Sequence, residues 1–287
     1  MSIRNQAMLV NLTVHGWTPS KEDVTITSET NSNHNASSNA GRYIKRIIAT
    51  QYTNPIAAAE KRIRVYVQQN TVPWDDFGFR ALRSDMFFKF REGFDKAVSD
   101  YESTVNTFIK EYERIVNAQK AELGSMFKQS DYPDSSTVRE KYGASITIRP
   151  IQESENFIVQ ATDDDAAYIR DKMEKDVMSS MQNALAEPWD RLYETISDVA
   201  RRLALSPDVK DGVFTQAVTK RLEKLLDQLP LLNISGDPHL DELNEQARKL
   251  LVAPADLRIF PRARAEAKET ADDILKKMSG YLGNQVA

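Results

Sequence analysis

Two aspartates set among aromatic rings are the side chains best placed for chemistry, in the run Thr71-Val72-Pro73-Trp74-Asp75-Asp76-Phe77-Gly78-Phe79-Arg80. Paired carboxylates serve either as cation ligands or as an acid/base couple. In a turn rich in Pro and Gly they also bond the turn's own N–H groups, while neighbouring aromatics such as Trp74 and Phe77 dock the turn. The second reading is favoured, so Trp74, Asp76, Phe77 and Arg80 are candidate interaction residues rather than catalytic ones. Asp163, Asp164 and Asp165 form another carboxylate group. Following Thr162, they are accounted for as a cap and as negative charge at the positive end of a helix dipole.

His15, His34 and His239 are the three histidines, and none falls in an H-x-x-x-H or H-E-x-x-H pattern, so a zinc site has no support. The sequence has no phosphate-cradling G-x-x-x-x-G-K-[ST] loop, no G-x-G-x-x-G and no G-x-S-x-G elbow, and with no cysteine it has no thiol nucleophile. No catalytic, metal or cofactor-binding residue is assigned, and no cofactor is expected. Arg42, Lys45 and Arg46, with tyrosines nearby, are a candidate basic face for nucleic acid. The competing reading, an ordinary solvated face, is favoured.

The chain has 287 residues with a formal net charge of −4, 28% charged and 41% hydrophobic residues. There is thus no global electrostatic drive toward nucleic acid. Residues 1–83 carry ten Lys/Arg against six Asp/Glu, so the remainder is net acidic. Absence of cysteine fits a reducing compartment, and no apolar run approaches the ~18 residues of a membrane span. A cytoplasmic protein without membrane association is expected.

The elements that position these residues centre on Ser84 to Phe127. Phe87, Phe90, Phe94, Ala97, Tyr101, Val105, Phe108, Tyr112 and Ile115 recur in steps of three and four, the apolar stripe of a long helix. At 1.5 Å per residue it would run roughly 65 Å. A second long stripe follows Thr162: Ile169, Met173, Val177, Met181, Leu185, Trp189, Leu192, Ile196, Val199 and Leu203. The two helices are expected to fold back antiparallel. Between them lie two short alternating stretches, Ala144–Arg149 and Asn156–Gln160, read as a β-hairpin at the tip.

Upstream, Met8 to Val14 alternates as a strand and Val24–Thr27 suggests another. Asn31–Asn39 is read as an exposed, mobile loop, and a helix is expected from Pro55 to Gln68. Downstream, helices are expected over about Asp211–Gln228, Asp237–Leu251 and Arg262–Gly280. The fold class is therefore mainly α (α+β), in three stretches. These are a small N-terminal α+β unit at 1–83, a coiled-coil hairpin at 84–205 tipped near 144–160, and bracing helices at 206–287.

Gly41-Arg42-Tyr43-x-Lys45-Arg46, Val72-Pro73-Trp74-x-Asp76-x-Gly78-x-Arg80, Asp131-Tyr132-Pro133 and Trp189-x-Arg191-Leu192 together resemble a DUF3150-type family, over roughly residues 15–240. It is an uncharacterised family found largely in bacteriophages and prophage-bearing bacteria. The resemblance implies a phage context, often beside MoxR-like AAA+ ATPases and von Willebrand-type partner proteins, and supplies no catalytic residue. The expectation is a non-enzymatic interaction protein, an adaptor or partner of such an ATPase. Alternatives are a phage assembly protein that oligomerises through its coiled coil, and a nucleic-acid-associated protein using the basic face. A homo-oligomer is expected. At the tip, Ile146, Ile148, Phe157 and Val159 supply more apolar surface than two helix ends hide, which makes them a candidate contact.

Overall fold

The computed structural model describes residues 6–151 and 163–285. The chain is mainly helical with a small antiparallel sheet. Strand β1 (Ala7–His15) forms as its alternation predicts. β2 (Ser20–Glu22) leads into α1 (Val24–Asn33), then β3 (Ile44–Arg46), α2 (Thr50–Asn70), β4 (Val72–Pro73) and β5 (Phe79–Arg83). Next come α3 (Phe87–Lys110), α4 (Tyr112–Leu123), α5 (Ser135–Glu140) and β6 (Gly143–Pro150). Helix α6 (Asp163–Ala204) is followed by α7 (Gln216–Leu232), α8 (Pro238–Arg248), α9 (Pro254–Ile259) and α10 (Pro261–Gln285).

Several elements differ from expectation for local reasons. Val24–Thr27 is helical, not a strand, because the Asp23 carboxylate caps α1 by accepting from the Ile26 N–H at 3.4 Å. The polar run after it is solvent-facing but closed by its own side chain. Asn31 is buried and donates to the carbonyls of Ser38 (3.2 Å) and Gly41 (3.1 Å). Helix α2 begins at Thr50 and carries Pro55 within it. The long stripe forms as read, except that Glu111 interrupts it between α3 and α4. There one N–H is shared between the carbonyls of Thr107 and Phe108.

The residues divide into two compact units, each discontinuous in sequence. One comprises residues 1–11, 68–90 and 148–287, and the other 12–67 and 91–147. The sheet order is β4-β5-β1-β6, and β1 pairs with β5 in the register Ala7↔Arg83 to Asn11↔Phe79. Among the described residues β6 is the last strand of this sheet, next to β1. Its expected partner, Asn156–Gln160 with Phe157 and Val159, lies outside the described residues. Ile146 is half-buried and Ile148 exposed.

In the first unit the second half of α6 supplies Trp189, Leu192, Ile196, Val199 and Leu203 to a core shared with α7, α8, α9 and α10. Its stripe is covered by the C-terminal helices, a role the sequence reading had given to the first long helix. Burying ten or more Leu, Ile and Val side chains at ~1.5–3 kcal/mol each makes this cluster a dominant favourable term. Arg264 of α10 closes the end of α6. It is only 9% exposed, and its guanidinium donates to the carbonyls of Arg202, Leu203, Leu205, Gly212 and Leu257 at 2.6–3.4 Å. The last turn of a helix leaves such carbonyls without partners and carries partial negative charge, so a cation there satisfies both needs.

In the other unit α2 buries Ile56, Ala59, Ile63 and Val67. Over its residues in this unit, α3 buries Phe94, Tyr101, Val105 and Phe108. A Cβ at Gly93 would stand 2.2 Å from the Tyr66 hydroxyl, so glycine permits the approach of α2 to α3. Among the described residues no helix is long and apolar enough to cross a membrane.

Candidate functional site

The run around Trp74 is a β-hairpin. β4 and β5 pair in the register Val72↔Ala81 and Pro73↔Arg80, and the loop between them is held at every side. Trp74 N–H donates to the Phe79 carbonyl at 3.0 Å. One oxygen of Asp75 accepts from the N–H groups of Phe77 (3.0 Å) and Phe79 (2.9 Å), the Asx-type turn expected of a carboxylate here. Gly78 adopts φ +90°, a conformation that glycine reaches without strain. Asn11 of β1 donates to the Phe77 carbonyl at 3.2 Å.

Trp74 is buried with Ala7, Val72, Ala81, Ile151, Ala184, Leu232 and Ile234. Phe77 does not dock as expected but stands 88% exposed. With its carbonyl and N–H both bonded at the tip of the turn, its ring is carried outward. Asp76 is exposed beside it.

Arg80 fastens the base of the hairpin. It donates to Thr71 Oγ1 (2.7 Å) and to the carbonyls of Thr71 (2.8 Å) and Gln68 (3.3 Å). Arg191 of α6 donates to the same Gln68 carbonyl at 3.2 Å and is ion-paired with Glu187. Burial lowers the Arg80 pKa, Glu187 opposes that shift and Arg191 adds to it. Burial likewise pushes Glu187 upward against its attraction to Arg191 and Arg80. The Trp74-to-Arg80 motif and the Trp189-x-Arg191 step, far apart in sequence, therefore meet at one carbonyl.

Arg42, Lys45 and Arg46 do not form one surface. Arg42 and Arg46 are exposed, whereas Lys45 is buried at 3%. Its ammonium bonds Asp23 at 3.0 Å, Asp131 at 2.9 Å and the Met126 carbonyl at 2.7 Å, and Lys21 also reaches Asp131 at 2.9 Å. Burial opposes the charge on Lys45, but Asp131 and Asp23 outweigh it and hold its pKa above the ordinary value. The Lys45 bond leads in holding Asp23 below the usual carboxylate range. Asp131 is also held low, because Lys45 and Lys21 overcome its burial. Tyr132, next to Asp131, donates to the Ile47 carbonyl at 2.8 Å. Two motifs singled out in the sequence, Gly41–Arg46 and Asp131–Pro133, are thus one structural joint.

Sequence reasoning missed this joint, and no local signal marks it: in β3 the charged Lys45 is inside while Ile44 is exposed, the reverse of what the residue types suggest. Among the described residues no group of three or more His, Asp or Glu side chains converges in a way that would hold a metal ion. Arg264, also missed, carries no pattern that sets it apart from Arg262, the other arginine of α10. No family model, curated protein or solved structure matches the chain.

Proposed function

We propose that this chain is a non-enzymatic interaction protein whose contact element is the Trp74–Phe79 hairpin. The observation that carries the reading is the 88% exposure of Phe77 on a turn fixed by Asp75, Gly78 and Asn11. A turn whose backbone is already fixed has little loop-ordering entropy left to lose on binding, which suits the aromatic side chain it presents to the role of an interface anchor. Trp74 and Arg80 then serve as the mount, and Asp76 supplies a charged neighbour for selecting a partner. The resemblance to the DUF3150-type family suggests the context: a phage-encoded protein in the host cytoplasm, acting as adaptor or partner of a MoxR-like AAA+ ATPase. The nucleic-acid alternative is weakened by the burial of Lys45, which leaves only Arg42 and Arg46 of that triplet at the surface.

The test is titration of the purified chain against such an ATPase. Phe77→Ala is expected to weaken binding by about tenfold or more, as at an interface anchor, with the melting temperature unchanged. Trp74→Ala is expected to lower the melting temperature, since it empties a buried site. Unaltered affinity in Phe77→Ala, or an ATPase that does not bind the parent chain, would overturn the reading.

A further inference from the structure

The first half of α6 carries a second stripe, distinct from the one that faces the core. Tyr168, Asp171, Lys175, Met178 and Gln182 follow one another in steps of three, four, three and four, the spacing of a two-helix seam. This stripe faces solvent. Tyr168 is 68% and Met178 45% exposed, and the side chains of Asp171 and Lys175 are 61% and 75% exposed. Within one chain Asp171 and Lys175 pair at 2.7 Å.

We propose that this face binds a second copy of the chain, with the two α6 helices antiparallel about a twofold axis level with Met173. Asp171 and Lys175 lie two residues on either side of that level, and Tyr168 and Met178 lie five on either side. Antiparallel alignment therefore sets each Asp171 opposite the other copy's Lys175 and each Tyr168 opposite the other copy's Met178. The four central charges alternate in sign around a ring, and a thioether meets an aromatic ring at each end of it. Parallel alignment would set Asp171 against Asp171 and Lys175 against Lys175, which is repulsive. The face is thus complementary to itself in one orientation only, which is the requirement of an isologous contact. With two apolar side chains from each copy the interface falls in the weak class, below ~1,200 Å². This inference does not depend on the hairpin reading.

Sedimentation velocity of the full chain across low to high micromolar concentration is expected to show a reversible monomer–dimer equilibrium. Lys175→Asp is expected to weaken it about tenfold, because each attraction in the ring becomes a repulsion in both symmetric copies. The exchange Asp171→Lys with Lys175→Asp rebuilds the ring with reversed signs and is expected to restore association to within about threefold of the parent. The chain has no cysteine, so orientation can be read by mixing an Asp171→Cys chain with a Lys175→Cys chain under oxidation. Antiparallel pairing yields mainly the mixed disulfide. A chain that stays monomeric, a dimer indifferent to Lys175→Asp, or a predominance of Asp171→Cys homodimers would each overturn the proposal.

Discussion

Lys45→Met removes the cation at the buried joint while nearly keeping its volume. It leaves Asp23 and the Met126 carbonyl without a bond that each now makes at 3.0 and 2.7 Å. Breaking a buried ion pair from one side costs about 3–5 kcal/mol. Lys21 stays on Asp131 at 2.9 Å, so the expected loss at neutral pH is toward the lower end, about 3 kcal/mol.

The pH dependence is the sharper readout. In the parent chain the two carboxylates lie below their ordinary 3.8, so their contribution is present above that value and lost as pH falls through the folded-state values. Lys45 lies above its ordinary 10.5, so its contribution is present below that value and lost only as pH rises through the folded-state value. Between these limits the joint gives a flat profile.

In the variant the carboxylates are buried without their main cation, and desolvation raises their folded-state pKa values. The folded chain then binds more protons than the unfolded one, so stability rises as pH is lowered from about 7 toward 5. Urea unfolding across this range is followed by the fluorescence of Trp17, whose ring lies 5.9 Å from that of Tyr112 in the same unit. Adding Asp23→Asn and Asp131→Asn to Lys45→Met is expected to recover most of the loss, since Asn also caps helices. A loss under ~1 kcal/mol, far short of a broken buried pair, would refute the reasoning. So would a variant with the parent's flat slope.

Arg264→Met is expected to destabilise the first unit by about 3 kcal/mol or more, because it strips a charged donor from five carbonyls, three of them fully or nearly enclosed; calorimetry checks this. Gly212→Ala would place a Cβ 2.0 Å from the Ser206 carbonyl oxygen. A cost of about 1–3 kcal/mol is expected, and it should combine non-additively with Arg264→Met, since Gly212 also accepts from Arg264. Burial pushes Tyr112, Tyr132 and Tyr142 up to about 12. Their neutral forms favour the folded state below the ordinary 10.0 and cease to do so as pH rises through about 12. Phenolate absorbance is therefore expected to show these three ionising late, together with unfolding.

What could be read from the sequence was whatever depends on local periodicity. The stripe from Phe87 to Ile115 along α3 and α4 and the α6 stripe from Trp189 to Leu203 come directly from spacing, and both form. Val24–Thr27 was misread because β-branched residues favour extended backbone, while the deciding factor was a single capping carboxylate at Asp23. The partner of the α6 stripe was not legible because any apolar stripe fits any other to first order. Choosing among them takes the three-dimensional route of α7 to α10. Of the hairpin residues, Trp74 and Asp75 took the expected roles. Phe77 did not, since an aromatic in a turn looks the same in sequence whether it points in or out. Lys45 illustrates the same limit for charge: its carboxylates lie 22 and 86 positions away, beyond any local pattern.

The closure of α6 by Arg264 has a bearing on how the chain is made. The carbonyls it joins at that helix end belong to Arg202, Leu203 and Leu205, about sixty residues earlier. During synthesis the last turn of α6 leaves the ribosome with its carbonyls bonded only to water and waits several seconds for its cation, at ~5–20 residues per second. Over that interval the far end of the helix is free to fray, and Leu203 is unshielded. Nascent chains stalled before residue 264 are therefore expected to be cut by protease near Arg202, and chains stalled well after it to be protected.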